Sequence, residues 1–170
     1  MNSFNYGFDK IHLIGIEGLH QRSISKLLER AAFFNSQKKN KKNKILKDCL
    51  VINLFFENST RTKASFEIAA KSMSADILNI SVSTSSIKKG ETLIDTAATL
   101  NAMHPDFLIL RHPNSGAAEM LSKHVQCSII NAGDGRHEHP TQALLDAAVI
   151  KEKKGKLEGL KIAICGDILN

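Results

Sequence analysis

The residues of this sequence that can do chemistry are donors and cations. Ser59, Thr60, Arg61 and Thr62 stand in a row, and Ser85, Lys89, Arg111, His139 and Gln142 lie further along. Hydroxyls donate hydrogen bonds, and the planar fork of an arginine matches two oxygens of a phosphate. A nucleophile is not evident. There is no G-x-S-x-G elbow, no cysteine beside a histidine, no P-loop and no G-x-G-x-x-G. His137-Glu138-His139 has a spacing that could serve a metal, since alternate residues of an extended segment point the same way. A third ligand is not evident, however, and His139-Pro140 reads as a helix entry. His104, His112 and His124 read as surface or structural residues. Positive groups without a nucleophile suit positioning and charge stabilisation, the chemistry of moving a group off a phosphate.

These residues need elements to hold them. Residues 50–56 have the β-branched and aromatic content of a buried strand and stop in small polar residues. Phe66, Ala69, Ala70 and Met73 then recur at helical spacing, so a helix begins near Ser59 or Thr60. A strand, a tight turn and a helix aim free backbone N–H groups and the positive end of the helix dipole at one spot, an anion site. No Glu or Gln stands where it would close a capping box with Ser59, so those N–H groups stay available. Ser59 as a plain N-cap and Arg61 as a surface charge is the bland alternative. A run of donors ending a buried strand favours phosphate.

The alternation continues along the chain. A helical stripe runs over residues 21–36. Strands are expected at 75–81, 106–111, 128–131 and 160–165. Helices are expected from Leu93, at 116–123 and from Pro140, which suits a first turn. Leu144, Leu145, Ala148 and Val149 share one face of the last helix. This pattern implies an α/β fold, a parallel sheet of about four strands flanked by helices on both faces. Such sheets bind ligands outside the carboxyl ends of their strands. The polar clusters at 58–62, 83–89, 111–113 and 137–142 each follow a strand, so one site should draw on several of them.

Bulk properties narrow the class. A chain of 170 residues, 42% hydrophobic, can bury one good core. Its formal charge of +6 suits an acidic partner. Much of the excess lies at 38–44, a Lys/Asn run without interleaved aromatics that reads as a solvated loop, not a nucleic-acid surface. Cys49, Cys127 and Cys165 lack CxxC spacing and adjoin apolar segments, so they read as reduced core residues of a cytosolic protein. No signal pattern opens the sequence, and no apolar run approaches the roughly 18 residues of a membrane span. The expectation is a soluble, cytoplasmic protein with no membrane or nucleic-acid partner.

Four blocks together resemble the catalytic chain of the aspartate carbamoyltransferase family. They are Phe56-Glu57-Asn58-Ser59-Thr60-Arg61-Thr62, Lys88-Lys89-Gly90-Glu91-Thr92, Arg111-His112-Pro113, and His139-Pro140-Thr141-Gln142-Ala143-Leu144-Leu145-Asp146. They come in the family's order, and the similarity spans nearly the whole chain. Glu57, the Lys-Gly-Glu-Thr run and Arg111-His112-Pro113 separate it from ornithine carbamoyltransferases, which typically differ at each. The resemblance implies condensation of carbamoyl phosphate with L-aspartate, giving N-carbamoyl-L-aspartate and phosphate in pyrimidine synthesis. It implies that Ser59, Thr60, Arg61 and Thr62 hold the phosphate, with Arg61 steadying the departing group. Thr62, Arg111 and His139 would donate to the carbamoyl oxygen, and Gln142 would accept from its NH2. Ser85 and Lys89 would reach into a neighbouring subunit's site in a homotrimer, with regulatory chains a further possible partner. Family catalytic chains use no metal or organic cofactor.

The family's chains continue into a second domain that binds aspartate, and residues 166–170 resemble its opening. The resemblance thus divides the sequence into a carbamoyl-phosphate-binding domain at 1–142, an interdomain helix and linker at 143–156, and the start of a truncated aspartate-binding domain at 157–170. The strand at 160–165 would be the first of that second α/β domain. The expectation is a shortened chain that binds carbamoyl phosphate weakly and turns over poorly or not at all. Two alternatives are transfer to another amine, such as ornithine, and a phosphate-binding module without activity.

Overall fold

The computed structural model describes residues 11–37, 43–81 and 92–166. Strands β1 (Leu50–Phe55), β2 (Asp76–Ser81), β3 (Phe107–His112) and β4 (Ser128–Asp134) form one parallel sheet in the order β2-β1-β3-β4. The helices are α1 (Gln21–Ser36), α2 (Thr60–Ser72), α3 (Leu93–Ala102), α4 (Ala117–Ser122) and α5 (Pro140–Lys154). The central strands are apolar on both faces because helices cover both. On one face Ile52, Leu54, Leu108, Leu110 and Ile129 meet Ala97 and Leu100 of α3 and Ala117, Ala118 and Leu121 of α4. On the other face Val51, Phe55, Ile109 and Ala132 meet Phe66 and Ala70 of α2. Each fully buried leucine or isoleucine contributes roughly 1.5–3 kcal/mol. α5 lies against β4, and α1 packs on α5.

The strand order puts β1 between β2 and β3. The chain leaves β1 in one direction and crosses back to β3 on its other side, so the crevice beyond β1 and β3 is a switch point where such sheets bind ligands. Helix ends are set locally. Thr92 and Asp95 close a capping box at α3, and Gly155, with φ 76°, ends α5 in the left-handed conformation.

β4 runs past the expected residue 131 through Ala132 and Gly133 to Asp134. Leu110 pairs with Asn131 but His112 pairs with Asp134, so β4 carries one extra residue, a bulge. Glycine and aspartate read as turn residues, yet this bulge keeps them in the ladder. Beyond β4, Leu13 bridges Ile130 in parallel, and His12 Nδ1 accepts from Ile129 N at 3.1 Å.

The strand expected at 160–165 is not formed. Among the described residues they pair with no strand, and Ile162 and Ile164 are 62% and 87% exposed. Alternating apolar residues only permit a strand; a ladder also needs a neighbour, and none of the described strands offers one. Cys127 is buried and Cys49 half-buried, but Cys165 is exposed on this same segment and is not a core residue. The α5 stripe also differs from a core stripe. Leu145 and Val149 are 54% and 48% exposed. Much of the Lys/Asn run, Ser85 and Lys89 lie outside the described residues.

Candidate active site

A cavity of about 680 Å³ opens beside the carboxyl ends of the strands, and Ser59, Arg61, Thr62, Arg111, His139 and Gln142 line it. Phe66 and Ala69 of α2 and Leu145 of α5 form its apolar wall. Leu145, one of the two exposed residues of the α5 stripe, is thus a wall of the site. Of the expected donors, Thr60 alone among the described residues stands apart, exposed and outside the lining.

Two helix N-termini border this space. Ser59 caps α2 and His139 caps α5, and neither side chain accepts a capping bond from a backbone N–H of its helix. Neither helix has an acidic residue in its first turn. Both positive ends therefore remain uncompensated, each equivalent to about half an elementary charge. Pro140 at the first position of α5 has no N–H to satisfy and is itself buried.

Arg111 comes from the end of β3, in register with Phe55 of β1. Its Nε donates to Glu57 Oε2 at 2.8 Å, and its Nη1 donates to Ala132 O at 3.1 Å. Two fixed donors orient the guanidinium. The next residue, His112, points to the opposite face, as strand alternation requires. It is buried, its ring centroid lies 4.5 Å from that of Phe56, and its Nδ1 accepts from Asn114 N at 3.0 Å. It is a structural histidine.

His139 is half-buried, and its Nδ1 lies 3.3 Å from Thr141 Oγ1. Burial first, and then the Arg111 charge, hold its pKa below the ordinary histidine value, so the ring is neutral at pH 7. The direction of that bond depends on the ring tautomer: a Thr141 hydroxyl that donates to Nδ1 puts the proton of the neutral ring on Nε2 and makes Nε2 a donor. Gln142 Nε2 donates to Asp146 Oδ1 at 2.9 Å, which leaves the Gln142 amide oxygen as an acceptor. His137 turns away from His139 and meets Asp134 Oδ2 at 3.3 Å.

Several residues that matter here escaped sequence reasoning. Ala132, Gly133 and Asp134 offer no motif of their own, while Glu57 and Thr141 stand inside the motif blocks but their contacts to Arg111 and His139 were not foreseen. The one available signal was the Gly-Asp-Gly run directly after an apolar strand, which reads as a turn.

Comparison with known proteins bears on this arrangement. The family profile described as "Aspartate/ornithine carbamoyltransferase, carbamoyl-P binding domain" matches residues 11–152. The chain is 60% identical to the aspartate carbamoyltransferase catalytic subunit of Parvibaculum lavamentivorans, over 96% of this chain and 50% of that protein. It is 57% identical to that of Rhodospirillum rubrum, over 94% of this chain and 50% of that protein. Among solved structures, the aspartate transcarbamoylase of Trypanosoma cruzi in complex with carbamoyl phosphate and aspartate superposes with a TM-score of 0.86. The identity is 36%, over 95% of this chain and 54% of that one. The chain therefore spans about half the length of the curated relatives it matches.

Proposed function

The chain belongs to the aspartate/ornithine carbamoyltransferase family, through its carbamoyl-phosphate-binding domain, and from that premise we propose that this cavity holds carbamoyl phosphate for attack by the amine of L-aspartate. Ser59, Arg61 and Thr62 take the phosphate with the N-terminus of α2, to which Thr60, outside the cavity lining, contributes as the first residue of the helix. Thr62, Arg111 and His139 donate to the carbamoyl oxygen, and the Gln142 amide oxygen accepts from the carbamoyl NH2. The amine lone pair forms a bond to the carbamoyl carbon, and the carbon–oxygen bond to phosphate breaks. The amine loses a proton, giving N-carbamoyl-L-aspartate and inorganic phosphate. Negative charge grows on the carbamoyl oxygen and on the departing phosphate. Preorganised donors at such positions are each worth roughly 10²–10³ in rate.

Under this reading residues 1–142 form the carbamoyl-phosphate-binding domain, 143–156 the interdomain helix and linker, and 157–170 open the aspartate-binding domain. The residues that bind aspartate belong to the part of the relatives outside the shared stretch. Ser85 and Lys89 complete the site of a neighbouring subunit in a cytoplasmic homotrimer, to which regulatory chains attach in some assemblies.

The observation that supports this most is the gathering of Arg61, Arg111 and His139 around one cavity bordered by two uncompensated helix ends. Calorimetric titration with carbamoyl phosphate tests it. Binding by the unaltered chain and its loss in Arg61→Ala is the expected result. Absence of binding by the unaltered chain, or equal binding by Arg61→Ala, overturns the reading.

A further inference from the structure

We propose that Asn131 and Asp134, neither of which lines the cavity, act as a positioning bracket that sets the separation between the Arg111 guanidinium and the His139 imidazole. The proposal rests on the reading of the cavity as a carbamoyl-phosphate site.

Both groups hang from one short segment. At its start, Ala132 O accepts from Arg111 Nη1 at 3.1 Å. At its end, Glu138 leads into His139. Between them the ladder is interrupted at the bulge, between the Asn131 and Asp134 pairings, where regular strand bonds do not hold it. Side chains take over that task. Asn131 Oδ1 accepts from Gly133 N at 2.8 Å, which fixes the bulge. Asn131 Nδ2 donates to Asp134 Oδ1 at 3.0 Å and to Ile14 O at 2.8 Å. Asp134 Oδ1 also accepts from Glu138 N at 3.1 Å, while Asp134 N donates to Glu138 O at 3.1 Å. Asp134 Oδ2 accepts from Gly116 N at 2.8 Å, which ties the turn to the start of α4. The residue before His139 is thus held by two bonds to Asp134, and the bulge beside Arg111 by one bond to Asn131.

Asn131 and Asp134 are 0% and 1% exposed. A carboxylate is buried at such cost only when donors surround it. Burial alone raises the Asp134 pKa, but Asn131, the Gly116 and Glu138 amides and His137 outweigh it, so the group stays ionised. Its ionised form accepts on both oxygens at once, which an uncharged carboxyl or an amide cannot do here.

Asp134→Asn is the test, read by NMR titration of His139 in the ligand-free chain and by carbamoyl phosphate calorimetry. Arg111 and Asp146 are the charged groups acting on the His139 ring. Loosening the bracket lets Arg111 and His139 separate, so the His139 midpoint rises toward its ordinary value. Affinity falls by roughly tenfold to a hundredfold, the scale of a misplacement near 1 Å. Asp106→Asn serves as control, because Asp106 Oδ2 accepts from Leu50 N at 2.8 Å at the far end of the sheet. It costs stability without moving either readout. An unmoved His139 midpoint in folded Asp134→Asn overturns the bracket. A shifted midpoint in a chain that never bound carbamoyl phosphate upholds the bracket and defeats the function on which it builds. If Asp134→Asn does not fold, hydrogen exchange in the unaltered chain decides. Glu138 and Gly116 amides as slow as those of β3 support the bracket, and amides that exchange at loop rates overturn it.

Discussion

Arg111 reaches the cavity through the space that Gly133 leaves empty. A Cβ built on Gly133 would lie 1.7 Å from Arg111 Nη1 and 2.7 Å from its Cζ, and Gly133 has φ +113°, where other residues are strained. Gly133→Ala must therefore push the guanidinium off Ala132 O. The expected result is a loss of about 1–3 kcal/mol in urea unfolding, from backbone strain alone. Carbamoyl phosphate affinity should fall roughly tenfold or more. Unfolding and calorimetry on the same preparation check both numbers, and unchanged affinity would show that the guanidinium path is not needed.

Glu57 takes up part of the charge that Arg111 brings to the cavity. The two side chains are 35% and 25% exposed, and their 2.8 Å contact neutralises part of the field that an incoming phosphate meets. Glu57→Gln keeps a hydrogen-bond acceptor and removes the charge. Inorganic phosphate should bind a few-fold more tightly at low salt, and the gain should shrink as salt rises. Stability should fall by about 1 kcal/mol or less, as for partly exposed pairs. A phosphate affinity that weakens in Glu57→Gln would mean the carboxylate orients Arg111 more than it screens it.

The parts of the site that sequence reasoning found are those that line the cavity. Ser59, Arg61, Thr62, Arg111, His139 and Gln142 each follow an apolar strand, and the carboxyl-end rule gathers them without any contact information. Asn131 and Asp134 are buried outside the cavity lining and look like strand-end and turn residues, so their work shows only once β3 and β4 are paired. The bulge is likewise a product of pairing: nothing local in Ala132-Gly133-Asp134 says that Asp134 will sit opposite His112. The segment 160–165 shows the converse. Its apolar alternation is real, but hydrophobic pattern states what a strand would bury and not whether a neighbour is there to bury it.

The neutrality of His139 gives a pH signature. Its folded pKa lies below the ordinary 6.5, lowered by burial first and by Arg111 second. A base with a depressed folded pKa stabilises the fold above its unfolded value, and that stability is lost as pH falls below it. Stability should therefore drop as pH falls below about 6.5, because the unfolded chain takes up a proton that folded His139 refuses. His12 and His112 are lowered by burial too and add to the same slope. In His139→Gln the slope of unfolding free energy against pH should be shallower in this window. In Arg111→Met the His139 midpoint should rise, since a repelling charge is gone. Urea titrations across the window and imidazole NMR test these separately, and an unmoved midpoint in Arg111→Met would remove Arg111 as a cause.

α2, which carries the donor row, is tied to the edge of the sheet by polar groups inside an apolar layer. Asn53, 0% exposed on β1, donates through Nδ2 to Asn79 Oδ1 of β2 at 2.9 Å. Asn79 Nδ2 in turn donates to Glu67 Oε2 of α2 at 3.1 Å, and Lys71 Nζ meets the other Glu67 oxygen at 2.6 Å. Asn79→Ala removes the acceptor of the buried Asn53 Nδ2, which lies among Val51, Phe55 and Ile109. The cost should be about 1–3 kcal/mol, the desolvation penalty of a buried unpaired group. Replacing both asparagines with leucine removes the polar demand together with its partner, so the double variant should recover much of that loss. It should still bind phosphate less well than the unaltered chain, because Glu67 then loses a tie to β2 and the start of α2 gains freedom. Unfolding of the single and double variants gives the coupling between the two asparagines directly. A double variant no more stable than Asn79→Ala would mean that the ladder is held for its hydrogen bonds and not for want of an apolar alternative.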